Sequence, residues 1–455
     1  MARIINRNLF GWQEIDAASD LDRLRMALWG LPDEGLVSHL ERLRGRGRND
    51  YPVRAMWNAL VAGVVFQHVS SASLIRELRR NAELRQLCGF DPYRGEKAVP
   101  SEDAFGRFLA NVVKAQEAID SMFHLLVERL RDELPSLGER LAIDSKAISS
   151  HGRTVTDPLK KVTPDGRRDL DADWGRKTYK GVHKDGKPWE KMVKWFGYKL
   201  HLVVDALYEL PLAYKVTKAS TSDTTELEPL LEQMEEHHPA VMKQASTLVA
   251  DKGYDSGSNN ISTYDRFHII PIIDKRNGLW KDGEKTKLID PSKSESFVYD
   301  EQGNVFCVCP LSGDHKNMMF MGFESDRNTL KYRCPAAGLG VDCQGRSLCE
   351  AASRTSSFGR VLRVPLETDR RIFTPIARHS QRWKLHYNTR SSVERVNSRI
   401  DQVFGFERHF LRGQAKMEMR VCLALVVLLS MALGRIRANQ AHLMRSLTAP
   451  APRAA

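Results

Sequence analysis

An α/β fold with an all-helical front is predicted by three features of the sequence. Apolar residues recur at helical spacing to about residue 135, short apolar runs of strand length follow, and long helical patterns return beyond residue 371. At 455 residues the chain is long enough for more than one structural unit. The expected division is a helical N-terminal unit over 1–135, the first part of an α/β unit over 136–274 and an insertion over 275–370 that carries a cysteine cluster. The second part of the α/β unit follows over 371–440, and a frayed Ala- and Pro-rich tail over 441–455.

In the first unit Ala55, Met56, Leu60, Val61, Val64 and Val65 keep a helical period, and Leu74, Ile75, Leu78, Leu84 and Leu87 continue it. Ser101, before Glu102 and Asp103, reads as a helix cap. Arg76, Arg79, Arg80 and Arg85 punctuate these helices, which suits either phosphate contact or a solvated face. Next, Leu141–Ile143 and Thr247–Ala250 are apolar runs that each close on an aspartate, Asp144 and Asp251. Tyr198–Val204 and Leu210–Val216 read as a strand pair, Leu227–Met234 as a helix, and Phe267–Ile273 as a strand that Pro271 confines to an edge. SFVYD, NVFCV and TLKYRC are short β-like pieces inside the insertion. Two long helices are expected over 381–404 and 414–436.

Composition excludes several classes. With 42% hydrophobic and 28% charged residues the chain is neither disordered nor a polytopic membrane protein. MARIINRNLFGWQEID lacks a continuous apolar core, and Val421–Leu433 falls short of the roughly 20 residues that span a bilayer, so a cytoplasmic protein without a membrane partner is expected. Lys and Arg exceed Asp and Glu by 69 to 57, a net charge of +12. Residues 145–200 hold 14 basic and 7 acidic residues, and 371–420 hold 11 and 4, so the excess is concentrated in two segments. A phosphate backbone is the partner this favours; an exposed lysine-rich loop over 160–194 is the alternative. Trp174, Tyr179, Trp189 and Trp195 interleave with these charges, as base-stacking residues or as anchors to the core.

Tyr387, Arg390 and Glu394 are spaced i, i+3, i+7, and one helix would carry all three on one stripe beside the apolar Val393, Val396, Ile400 and Val403. Arg390 with Glu394 could be a surface ion pair worth only about 0.3–0.5 kcal/mol. Joined to Asp144 and Asp251, Glu394 instead completes a three-carboxylate, oxygen-rich site suited to Mg²⁺ or Mn²⁺. Two such ions would serve in-line displacement at phosphorus.

The runs LAIDSKAI, TLVADKGYDS and YNTRSSVERVNSRI, in that order, resemble the first Asp, second Asp and Glu blocks of DDE transposases from bacterial insertion sequences. The subgroup resembled carries a Tyr-Arg-Glu-Lys signature, Y-x2-R-x3-E-x6-K. Tyr387, Arg390 and Glu394 match it, whereas Asp401 stands where the signature has Lys, and Arg395 or Arg399 would supply positive charge in its place. The run YPVRAMWNALVAGVVFQHVSSASLIRELRRNAELRQLCGF is similar to the helical N-terminal region of such enzymes, and FGYKLHLVVD with LPLAYKVTKASTSD to their second and third strands. The resemblance implies an RNase H-like core, a mixed sheet with helices, with Asp144, Asp251 and Glu394 as metal ligands. Tyr387, Arg390, Arg395, Arg399 and Lys199 would meet DNA. It further implies two ions, terminal inverted repeats and target DNA as partners, a homodimer or higher assembly, and work at the prokaryotic nucleoid. A related nuclease that cuts without joining strands, or a DNA-binding protein with a decayed site, fits the same residues.

Cys307, Cys309, Cys334, Cys343 and Cys349 crowd into the insertion. Four thiolates for a structural Zn²⁺, with His315 as a substitute for one, is one reading, and unligated reduced thiols the other. Cys88 and Cys422, in apolar helices, read as core.

Overall fold

The computed structural model describes residues 20–45, 50–152, 154, 168–183, 185–276, 280, 285–292, 296–352 and 359–449. The helical period of the first unit is realised as α1 (Asp20–Gly30), α2 (Glu34–Arg44), α3 (Val53–Val65), α4 (Ser71–Arg80), α5 (Ala82–Cys88), α6 (Glu102–Lys114) and α7 (Gln116–Glu133). Side-chain caps start several of them. Ser101 accepts the Ala104 N–H at 3.2 Å, and Ser70 and Ser73 form a reciprocal capping box on α4.

The central sheet is built from β1 (Arg140–Ser149), β2 (Asp173–Val182), β3 (Pro188–Asp205), β4 (Pro211–Lys218), β5 (Thr247–Ala250) and β6 (Ile270–Ile273). Helices α8 (Leu227–His237), α9 (Pro239–Gln244) and α10 (Gly257–Ile261) connect its later strands. β3 and β4 are antiparallel to their neighbours, while β5 and β6 run parallel to β1. The spatial order β4-β3-β1-β5-β6 is the RNase H-like mixed sheet. β6 is at the edge, as Pro271 requires.

Two sequence expectations are corrected here. Asp144 does not end its strand: β1 continues to Ser149 because β3 pairs with it from Leu141 to Ser149, while β5 stops at Ala250. The expected lysine-rich loop is, over 173–194, a β-hairpin, because β3 runs far beyond the sheet and its first half pairs with β2 from Asp173 to Val182. The hairpin is exposed on both faces, so it shows no apolar alternation to read. Residues 160–167 and 184 of that loop, and 450–455 of the tail, lie outside the described residues.

The insertion forms two small sheets, β7 (Lys287–Leu288) to β10 (His315–Asn317) through β8 (Phe297–Tyr299) and β9 (Val305–Val308), and then β11 (Met319–Glu324), β12 (Thr329–Arg333) and β13 (Val361–Pro365). Short helices α11 (Pro335–Leu339) and α12 (Arg346–Ala352) lie between β12 and β13. An aromatic core of Trp280, Tyr299, Tyr332 and Phe373 holds this region together.

The chain returns to the sheet through α13 (Gln381–Asn388), α14 (Ser391–Phe404) and α15 (Gln414–Arg437). The single helix expected over 381–404 breaks at Thr389–Arg390, with Arg390 standing at the N-cap of α14. α15 is the one helix among the described residues long and apolar enough to cross a membrane, yet 89% of that apolar window is buried in the protein. It packs against α1, α3, α7 and β4, so the first helices and the sheet share one apolar core. The closest approach is at Gly30, where an added Cβ would stand 2.5 Å from Ser430 Oγ; that hydroxyl donates to the Ala27 carbonyl at 2.6 Å.

Candidate active site

β1 and β5 run side by side in register from Arg140 and Thr247 to Ile143 and Ala250, and the next residue of each is an aspartate. Asp251 caps the turn after β5, its Oδ1 accepting the Gly253 N–H at 2.7 Å. Asp144 Oδ1 accepts the Ser145 N–H at 2.8 Å, and the side chain is 14% exposed. Burial first, and the neighbouring negative Asp251 second, raise the Asp144 carboxyl to about 6. Lys177, on the hairpin strand β2, and Arg390 pull it the other way.

Glu394 joins this pair through Arg390. The guanidinium Nη1 lies 2.8 Å from Glu394 Oε1 and 3.9 Å from Asp144 Oδ2, so one cation bridges the sheet and α14. Despite the helix break the i, i+4 pair survives, because Thr389 and Arg390 keep right-handed helical backbone angles. Glu394 is 51% exposed. Among the described residues no three His, Cys, Asp or Glu side chains converge on one point as a metal group. The sequence-expected triad is thus a close pair of aspartates with the glutamate held beside it by arginine. Hard carboxylate oxygens from two adjacent strands are a donor set that fits Mg²⁺, which takes one or two carboxylates and leaves its remaining positions to water and phosphate.

The other expected residues are distributed differently. Tyr387 stacks on Trp383, with ring centres 4.9 Å apart and planes at 11°, and burial pushes its phenol up to about 12. Lys199 is turned inward, bonded to Asp223 at 2.9 Å and to the Thr221 carbonyl at 2.7 Å. Arg395 and Arg399 both reach Glu209, at 2.7 and 2.5 Å, where Arg445 joins them at 3.4 Å. Asp401 receives Lys146, which also bonds Glu407 at 2.8 Å. Lys146 lies two residues beyond Asp144, so strand alternation turns both toward α14. The positive charge expected near position 401 therefore comes from β1, not from Arg395 or Arg399.

Several neighbours of the aspartates carried no sequence signal. Asp223, in a Ser- and Thr-rich turn, comes close to Asp251: a Cβ placed on Gly253 would lie 2.7 Å from Asp251 Oδ1 and 3.0 Å from Asp223 Oδ2. Tyr254 is fully buried among Asp223, Asp144 and Asp251, with burial driving its phenol well above the usual range. Lys177 belongs to the hairpin. An open groove of about 760 Å³ runs past this side of the site, lined by Trp174, Arg176, Lys194, Lys199, Asp223 and Arg276. Trp174 is 56% exposed there. Arg276 fixes the loop after Asp251 by donating to the Gly253 carbonyl at 2.8 Å.

Residues 135–430 match the family described as transposase DDE domain, and residues 13–111 match the transposase domain DUF772. No curated protein sequence matches the chain. Among solved structures it is similar to a piggyBac transposase synaptic complex with hairpin DNA, at 11% identity and a TM-score of 0.36, over 96% of this chain and 80% of that one. The DDE-domain match takes in both strand aspartates, α14 and the greater part of the sequence, and the protein belongs to the DDE transposases typical of bacterial insertion sequences.

Proposed function

We propose that this transposase binds the terminal inverted repeats of its own element, hydrolyses a phosphodiester at each end and directs the freed 3′-hydroxyl onto target DNA. The observation that carries this reading is the juxtaposition of Asp144 and Asp251, beside Asp223 and Gly253, which line a basic groove. Asp144 and Asp251 would hold the divalent cations, with Glu394, now paired with Arg390, as the third carboxylate. Bound there, Mg²⁺ or Mn²⁺ supplies activation of the attacking oxygen and charge stabilisation of the leaving one. Arg390, already balanced between Asp144 and Glu394, positions the scissile or flanking phosphate, and Lys177, Arg176 and Lys194 receive the backbone. Trp174 offers an exposed face for an unpaired base at the cut end. Tyr387 orients α13 against the site. Two ends must be joined, so the working form is a dimer or higher assembly at the nucleoid.

The test is a strand-transfer assay on duplexes carrying the element's ends, with Mg²⁺. Cleaved and rejoined product is expected, and Asp144→Asn should abolish cleavage while retaining DNA binding. Cleavage without joining would assign a nuclease, and cleavage surviving in Asp144→Asn would remove Asp144 from the chemistry.

A further inference from the structure

All five cysteines of the insertion line one cavity of about 40 Å³. That volume has room for an ion. Three separate chain segments bring them there: Cys307 and Cys309 from β9 and the residue beyond it, Cys334 from the start of α11, and Cys343 and Cys349 from α12 and the turn before it. The aromatic core of the insertion includes only Cys307 of the five, at its margin, and no residue of α11 or α12, so apolar packing of that core does not fix the segment carrying Cys343 and Cys349.

We propose that this cavity is a structural Zn²⁺ site, with Cys309 and Cys343 as two of its thiolate ligands. Both thiols line the cavity, and Cys309 is buried. Each cysteine opens a tight turn, the Gly313 N–H donating to the Cys309 carbonyl at 2.9 Å and the Arg346 N–H to the Cys343 carbonyl at 3.1 Å. Gly345 is needed for the fit, because an added Cβ would stand 3.0 Å from both Cys309 Sγ and Pro310 Cδ.

The charge of the cavity wall agrees. Four thiolates on Zn²⁺ leave two negative charges (2 − 4 = −2). Lys316, Arg346 and Arg360 line the same cavity, and Arg360 Nη1 approaches Cys307 Sγ at 3.7 Å. His315 does not line it; its ring packs near Phe306 instead, with ring centres 6.1 Å apart. The five sulfurs surround the cavity without meeting at a point. Coordination therefore asks for rotation about χ1, the freest adjustment a cysteine has.

The site is independent of the transposition reading and is tested without activity. The full chain, purified under reducing conditions without added metal, should carry about one zinc per chain by elemental analysis. Cys309→Ser with Cys343→Ser should lose about nine-tenths of it, whereas Cys88→Ser should retain it. Because the double variant could misfold, the unsubstituted chain is also to be exchanged with Co²⁺, where intense thiolate-to-cobalt charge transfer with tetrahedral ligand-field bands is expected. Zinc retained by the double variant, absence of both zinc and cobalt signals, or a Cys309–Cys343 disulfide found by peptide mapping would each overturn the assignment.

Discussion

Replacing Asp144 by Asn should make the protein more stable while removing its chemistry. A carboxyl held at about 6 instead of 3.8 resists ionisation in the fold. At ~1.36 kcal/mol per pH unit that resistance amounts to about 3 kcal/mol. The folded state binds this proton more tightly than the unfolded chain does. Folding is therefore penalised in full above pH 6, and the penalty fades as pH falls from 6 toward 3.8. Asn cannot ionise, yet its oxygen still accepts the Ser145 N–H. With 14% of the side chain exposed, little of the effect is lost to solvent screening. Calorimetry at pH 8 in chelator should place the variant above the unsubstituted protein, by up to about 6–12 °C at the ~2–4 °C per kcal/mol of a unit of roughly 150–250 residues and by less in a longer cooperative chain. Near pH 4 the gap should close. Mg²⁺ should raise the melting temperature of the unsubstituted protein more than that of the variant. A variant that melts at or below the parent at pH 8 would refute the view that burial and the neighbouring Asp251 hold this carboxyl up at a cost to folding.

Three further outcomes follow from the same contacts. Lys146→Met and Asp401→Asn should each destabilise by about 1–3 kcal/mol, and a double-mutant cycle by chemical denaturation should return a coupling of at least ~0.5 kcal/mol; additivity would dissolve the pair. Glu209→Gln should lower thermal stability by about 2 kcal/mol, since Arg395, Arg399 and Arg445 lose their shared charge, with DNA binding at low salt unweakened; weaker binding would show that the cluster serves DNA. His124, His201 and His409 are held near 3, 4 and 4 by burial. The unfolded chain therefore takes up protons first below pH 6.5, and stability should fall on acidification by up to ~1.4 kcal/mol per histidine per pH unit down to about pH 4, outweighing the Asp144 gain. His124→Asn should flatten that acid limb in a pH series of melting curves.

The parts of the fold legible in the sequence were those with at least one buried face. Leu141–Ile143 and Thr247–Ala250 could be read as strands because both faces are covered, and Val393, Val396 and Ile400 because a single stripe is. The β2–β3 hairpin was not legible, since its exposed strands alternate charge with aromatics and resemble solvated loop. The aspartates of the site were readable from order and context. Their electrostatic neighbours were not: Asp223, Lys177 and Tyr254 come from distant segments, and only strand pairing brings them together. Arg395 and Arg399 looked like phosphate ligands by charge alone, and Glu209, nearly two hundred residues earlier, claims them. Lys146 replaces the expected charge at position 401 by crossing from strand to helix, a swap that one-dimensional spacing cannot register.

The clasp between Ser430 and Ala27 has a temporal meaning. α15 is translated last among the helices, yet it fills the space on which α1, α3 and α7 close. At roughly 5–20 residues per second, the ribosome leaves those early segments without their inner partner for tens of seconds. Unfinished chains should therefore need chaperone shelter, and truncation before residue 414 should yield aggregates instead of a free-standing helical module.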